Sequence, residues 1–165
     1  MNNSLKILEN LKKVVMPTLQ IIDFRKNLLE SFDFFNLNFA ELLEMHLENN
    51  QIGKVENICN CTFPKLRELH LENNQLETID LRNLANMPTL AALYLSNCRL
   101  ISDDNLISII DGLWFDDRQP NARAILCRLP NLSQLHLQNN LLEVFSMVGM
   151  NLPKLELLYL RNTLS

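Results

Sequence analysis

Leucine and other apolar residues recur along this chain in an eleven-residue pattern, apolar-x-x-apolar-x-apolar-x-x-Asn-x-apolar. In the clearest copy, Leu69 and Leu71 are two residues apart, so they point to one face of an extended strand while His70 points to the other. The pattern therefore predicts a short strand in each copy, with its leucines buried. Six copies are recognisable, and they begin at Leu19, Leu42, Leu66, Leu90, Leu132 and Leu155.

The ninth position of the pattern is polar and is most often Asn. A buried amide both donates and accepts hydrogen bonds, so it can satisfy loop N–H and C=O groups that would otherwise be unpaired. Cys and Thr are small and can donate a hydrogen bond, so they can replace Asn, though less completely. Stacked copies therefore predict a ladder of Asn27, Asn50, Asn74, Cys98, Asn140 and Thr163.

The copies follow one another at a nearly fixed interval. The steps from residue 19 to 42, 66, 90, 132 and 155 are 23, 24, 24, 42 and 23 residues. This pattern and period resemble the leucine-rich repeat family, whose signature allows Asn or Cys at the ninth position. The resemblance implies an α/β solenoid with a curved parallel sheet and a concave face. The unit length is similar to that of the typical, 24-residue subfamily.

We expect one leucine-rich repeat domain over residues 1–165, with half a repeat at 1–18. The 42-residue step indicates an insertion at about 103–128, and its start has the signals of a helix. Both ends of the chain fall inside a repeat, whereas solenoids need atypical terminal units. The chain is therefore interpreted as a fragment of a longer protein; a short natural chain is the alternative.

Composition limits the partners of this chain. The net charge of −4 does not indicate a nucleic-acid surface, and no segment has the ~20 apolar residues that cross a bilayer. We expect the cysteines to be free thiols, because no cysteine-rich flank is present and one of them occupies the ladder. The four cysteines are Cys59, Cys61, Cys98 and Cys127.

The residues between the leucines define the predicted binding face. Aromatic and histidine side chains on a rigid sheet suit a protein partner. All three histidines fall in one column, Asp23, His46, His70, Tyr94, His136 and Tyr159. The neighbouring columns are Arg25, Glu48, Glu72, Ser96, Gln138 and Arg161 on one side and Ile21, Glu44, Glu68, Ala92, Gln134 and Leu157 on the other. The predicted partner-binding residues are His46, Glu48, His70, Glu72, Tyr94, His136, Gln138, Tyr159 and Arg161.

The insertion supplies a second candidate contact, Trp114 and Phe115, because insertions in solenoids become loops on one face. The alternative is that these side chains pack against the repeat core. No nucleophile–base arrangement or phosphate-binding glycine loop is evident, so we expect no catalytic residues and no cofactor. No metal site is expected either, because the fold would separate the histidines from Cys59 and Cys61.

The sequence thus predicts a non-catalytic module that recognises a protein ligand. The resemblance implies an extracellular or cell-surface piece of a receptor, adhesion or innate immune protein active in signal transduction. An intracellular adaptor or scaffold subunit, in the cytoplasm, is one alternative. The substrate-recognition domain of a larger enzyme is another. The identity of the partner and the oligomeric state do not follow from these residues.

Overall fold

The strands are short and regularly placed. A computed structural model describes residues 4–8, 11–79, 84, 86–101, 127–142, 145 and 150–161. In chain order the strands are β1 (Ile21–Asp23), β2 (Ser31–Asp33), β3 (Glu44–His46), β4 (Lys54–Glu56), β5 (Glu68–His70), β6 (Ala92–Tyr94), β7 (Cys127–Arg128), β8 (Gln134–His136), β9 (Met150–Asn151) and β10 (Leu157–Tyr159). Two 3-10 helices cover Leu11–Lys13 and Ile58–Asn60.

Six strands form the main sheet, which is parallel and runs in the order β1-β3-β5-β6-β8-β10. Each of its strands begins two residues after the first leucine of a copy. The register aligns equivalent positions of successive copies, so Leu69 pairs with Met45 on one side and Leu93 on the other. The predicted parallel-sheet solenoid is confirmed.

The remaining strands form two-stranded parallel sheets, β2 with β4 and β7 with β9. Within the described residues there is no α-helix, and the coils return through short strands, turns and 3-10 helices. The helical insertion predicted at about 103–128 lies outside the described residues up to position 126. The described part of the chain contains no helix with the length and hydropathy of a membrane span.

The core lies between the main sheet and the return segments. Leu66, Leu69 and Leu71 have no exposed surface, as the period-two alternation requires. Burying each leucine contributes roughly 1.5–3 kcal/mol. On the return side, the rings of Phe39 and Phe63 stack with centroids 5.9 Å apart. The leucines and phenylalanines belong to one continuous cluster, so neighbouring coils share a single core.

The asparagine ladder joins each coil to the one before it. Asn74 Oδ1 accepts a hydrogen bond from Ile52 N at 2.9 Å. Its Nδ2 donates to Leu71 O of its own coil at 2.9 Å and to Leu47 O of the preceding coil at 3.0 Å. The amide therefore satisfies backbone groups of two coils at once. Asn50 and Asn140 make the equivalent contacts.

Cys98 is the weak step of the ladder. Its thiol donates to Leu71 O at 3.4 Å and to Ser96 O at 3.8 Å. Burial is the main reason why the pKa of this thiol rises to about 11. Cys98 and Cys61 are both buried. Thr163, the last predicted rung, lies outside the described residues.

A second, exposed row of asparagines stabilises the turns and was not predicted. Asn73, Asn97 and Asn139 have φ angles of 55°, 52° and 58°, the left-handed region that Asn tolerates better than most residues. Asn97 Nδ2 donates to Asn73 Oδ1 at 2.9 Å, and Asn139 Nδ2 donates to Asn97 Oδ1 at 2.7 Å. The second bond spans the 42-residue step, so the coil after the spacer rejoins in register.

Candidate functional site

The open face is the side of the main sheet that carries the residues between the buried leucines. In β5, Leu69 is buried while Glu68 and His70 are half-buried on the other side, because successive side chains of a strand alternate. β3 and β8 repeat this burial pattern. The face is therefore a set of side-chain columns on a sheet whose opposite side is buried from β1 to β8.

The central feature of the open face is the ring column, which consists of His46, His70, Tyr94, His136 and Tyr159. Adjacent rings are stacked, with centroids 4.5, 4.2, 4.5 and 4.5 Å apart along the series. The interplanar angles are 20°, 8°, 29° and 21°.

The stack follows from the register of the sheet. Neighbouring parallel strands lie about 4.8 Å apart, close to the spacing at which flat rings pack against each other. Since the register places one ring from each strand directly beside the next, the rings have only to share a rotamer to stack. Stacking holds the rings in place, so the column is a preorganised aromatic surface.

The N-terminal part of the ring column, which consists of His46 and His70, is flanked by carboxylates and is called the acidic half. His70 Nε2 lies 3.1 Å from Glu68 Oε2, and His70 Nδ1 lies 3.3 Å from Glu72 Oε1. Burial lowers the pKa of His70, but the hydrogen bonds and charges of these carboxylates outweigh it, so the net shift is upward. The charged imidazolium is therefore favoured at this position.

His46 has the same surroundings one coil earlier. Its Nε2 lies 3.1 Å from Glu44 Oε2. Its Nδ1 lies 3.6 Å from Glu48 Oε2, which is too long for a hydrogen bond. The other oxygen of Glu48 lies 3.5 Å from an Arg25 guanidinium nitrogen, and Arg25 also pairs with Asp23 at 2.8 Å. One charged arginine thus borders the acidic half at β1.

The C-terminal part of the column, His136 and Tyr159, is called the neutral half, because its rings form no ion pair with a carboxylate among the described residues. His136 Nε2 lies 3.3 Å from Gln134 Oε1. Burial lowers the pKa of His136; the charge of Glu72 raises it, the charge of His70 lowers it, and the net shift is downward. The pKa of Tyr94, at the junction of the halves, is raised by burial and by the charges of Glu68 and Glu72.

Three buried acceptor atoms in the acidic half have no hydrogen-bond partner among the described residues. They are His46 Nδ1, Glu48 Oε2 and Glu72 Oε2. His46, Glu48 and His70 each offer one atom that can act as a metal ligand, and these three atoms all lie within 4.8 Å of one another. Within the described structure, the acidic half is thus the part whose side chains could together bind a cation.

The structure brings five of the nine predicted sheet residues together in the ring column, and it places Glu48 and Glu72 beside His46 and His70. It separates Cys61 from the histidines, because the Cys61 thiol donates to Ile58 O on the return side. Trp114 and Phe115 lie outside the described residues. Arg25 was not predicted as a site residue, although its position in the column beside Glu48 was the available signal.

Comparison with known proteins agrees with this architecture. The sequence model described as leucine rich repeat matches residues 40–100. The matched segment covers β3 to β6, and strands on both sides of it continue the same sheet. Residues 40–100 are thus similar to the leucine-rich repeat family. Repeats of this family generally form non-catalytic recognition surfaces.

No curated protein gives a significant match to the sequence. Among solved structures, the chain is similar to an internalin (inlF) from Listeria monocytogenes str. 4b F2365, with 16% identity and a TM-score of 0.39. The match covers 84% of this chain and 47% of that one, so this chain spans about half the length of the internalin structure.

Proposed function

We propose that this chain is a recognition module that binds a protein ligand through its open face. The observation that carries the proposal is the ring column. It places five aromatic or imidazole rings in one continuous stack on a sheet whose reverse side is buried from β1 to β8. Rigid aromatic side chains contribute most per residue to protein interfaces, because little entropy is lost when they bind.

Charge supports a ligand that presents basic side chains. The acidic half carries Glu44, Glu48, Glu68 and Glu72 around two histidines, whereas Arg25 is the nearest arginine. A lysine or arginine of the ligand would find carboxylates beside flat rings, the combination that favours both ion pairs and cation–π contacts. The predicted contacts of Gln138 and Arg161 extend this surface across the neutral half.

The setting of the module is a further part of the proposal. Its repeat length, close to 24 residues, is similar to that of repeats in animal receptor, adhesion and innate immune proteins, so we assign the chain to such a protein at the cell surface. The intracellular adaptor is the competing assignment. The full-length sequence separates them, since a signal peptide and cysteine-rich caps belong to the first.

The test is capture of a ligand with the isolated chain, followed by affinity measurement with purified ligand. Tyr94→Ala and His70→Ala should each weaken binding more than tenfold, because they remove the centre of the stack. Phe35→Ala is the matched control, since Phe35 is an exposed ring beside β2, away from the main sheet. Equal binding by the wild type and both column variants would contradict the proposal.

A further inference from the structure

We propose that His46, Glu48 and His70 form a binding site for a divalent transition-metal cation of the zinc type. The site lies in the acidic half, where β3 and β5 meet. It goes beyond protein recognition and does not rest on it, because the metal needs only side chains of this chain.

The first argument is the buried carboxylate of Glu48. The residue is only 7% exposed, yet its Oε2 accepts no hydrogen bond from any described residue. A buried carboxylate oxygen without a partner is costly, since its hydration has been lost. His46 Nδ1 is buried and unpartnered in the same place. A bound cation would satisfy both atoms at once.

The second argument is the distance between these two atoms. His46 Nδ1 and Glu48 Oε2 are 3.6 Å apart, which is beyond hydrogen-bond range. Two ligand atoms of a tetrahedral zinc ion, each about 2.1 Å from the metal, lie about 3.4 Å from each other. The pair is therefore spaced for a shared metal ion and needs almost no movement to bind it.

The third ligand comes from the neighbouring strand. His70 offers a nitrogen within 4.8 Å of both other donor atoms. It has to approach by at most about 1.4 Å to reach tetrahedral spacing, which side-chain rotation can supply if the His46–His70 stack loosens.

The surrounding groups suit metal-bound imidazoles. In both histidines Nε2 lies 3.1 Å from a carboxylate, Glu44 or Glu68. This leaves Nδ1 of His46 facing Glu48, while Nδ1 of His70 lies 3.3 Å from Glu72 Oε1 and exchanges that contact for the metal. A carboxylate on the far nitrogen orients a metal-bound ring and increases its basicity. Two imidazoles with one or two carboxylates favour zinc and similar transition metals over calcium and magnesium, which prefer all-oxygen ligands.

The neutral half of the same column provides an internal control. His136 is also a half-buried ring stacked between neighbours, but its Nε2 faces the amide of Gln134. Among the described residues, His136 belongs to no group of three side chains whose ligand atoms lie close enough to share a metal ion. A metal that bound any exposed histidine would treat His136 and His70 alike.

The experiment is titration of the 165-residue chain with zinc alone, against a chromophoric chelator. We expect one zinc ion per chain. His70→Phe and Glu48→Gln should each weaken binding at least tenfold, while His136→Phe changes it less than twofold. Phe keeps a flat ring in the column and Gln keeps the shape of Glu, so thermal melts should show that every variant remains folded.

Three results would overturn the site. The wild type could fail to bind zinc, the variants of the two halves could lose affinity equally, or His70→Phe and Glu48→Gln could bind as the wild type does. Cobalt in place of zinc adds an independent readout. An intense thiolate-to-cobalt absorption band would place the metal on cysteines and exclude the histidine site.

Discussion

The two halves of the ring column share one scaffold and differ in chemistry. Both halves lie on the same parallel sheet, in the same register, with rings 4.2–4.5 Å apart. The acidic half sets its histidines between carboxylates, whereas in the neutral half His136 faces the amide of Gln134. The leucines therefore determine where each ring lies, and the residues that flank the ring determine its charge and its ligands.

The largest expected effect tests whether the halves share one core. Leu69 lies beneath the acidic half and Leu135 beneath the neutral half, and neither has any exposed surface. Leu69→Ala and Leu135→Ala should each lower the free energy of unfolding by about 2–5 kcal/mol, through lost burial and a residual cavity. Denaturant unfolding measures both. A loss below about 1 kcal/mol at only one site would mean that the halves are not equally packed.

The next effect concerns the ladder beneath the acidic half. Asn74→Ala removes four hydrogen bonds and leaves the N–H of Ile52 and three carbonyls without their amide partner. We expect a loss of about 2 kcal/mol or more in the free energy of unfolding. Asn73→Ala is the control, because Asn73 lies on the exposed row. Equal losses for the two variants would contradict the buried ladder.

The junction of the halves should be improvable. Cys98 fills an asparagine position with a thiol, a weaker donor than an amide, which lies 3.4 Å from Leu71 O and 3.8 Å from Ser96 O. Cys98→Asn should raise the free energy of unfolding by about 1 kcal/mol, because an amide restores the shorter bonds seen at Asn74. Denaturant unfolding under reducing conditions measures the gain. Destabilisation would mean that the coil has adjusted to the smaller residue.

The halves should also titrate differently in chelator-treated protein. Carboxylates raise the pKa of His70 despite its burial, and burial lowers the pKa of His136. NMR titration of the ring signals should therefore show His136 losing its proton at lower pH than His70. By linkage, His70 stabilises the fold below about pH 6.5 and that contribution disappears as pH rises through its folded pKa, while His136 destabilises the fold as pH falls. The reverse order would contradict the assigned surroundings.

The smallest effects are expected from the exposed lysines of the two halves. Lys65 pairs with Glu41 at 2.7 Å, and at the equivalent position Lys154 donates to Asn131 at 2.6 Å. Lys65→Ala and Lys154→Ala should each change the free energy of unfolding by less than about 1 kcal/mol. Only the Lys65 effect should weaken with added salt, because only that pair joins opposite charges. A salt-dependent Lys154 effect would be evidence against this pairing.

The sequence predicted the scaffold well, because burial has a simple period. Leucines two residues apart specify which side of a strand is inside, and a fixed interval aligns equivalent positions on neighbouring strands. The column of His46, His70, Tyr94, His136 and Tyr159 follows from these two facts alone.

Other features depend on rotamers and local contacts that no periodicity encodes. The ring stacking, the 3.6 Å gap between His46 and Glu48, and the exposed row of asparagines were not predicted. The buried polar atoms of the acidic half that lack a hydrogen-bond partner were missed for the same reason. The sequence analysis considered a metal site that included Cys61, whose side chain lies on the return side of the coil. Spacing identifies which residues are neighbours, whereas side-chain torsions determine which atoms meet.

The most direct test of the account is an NMR measurement of contacts between rings. The ring centroid of Tyr94 lies 4.2 Å from that of His70 and 4.5 Å from that of His136, although Tyr94 and His136 are 42 residues apart in the sequence. We expect nuclear Overhauser contacts from the ring protons of Tyr94 to the ring protons of both histidines. Contacts to His70 without contacts to His136 would mean that the coils do not rejoin after the long spacer, and the continuous open face would be contradicted.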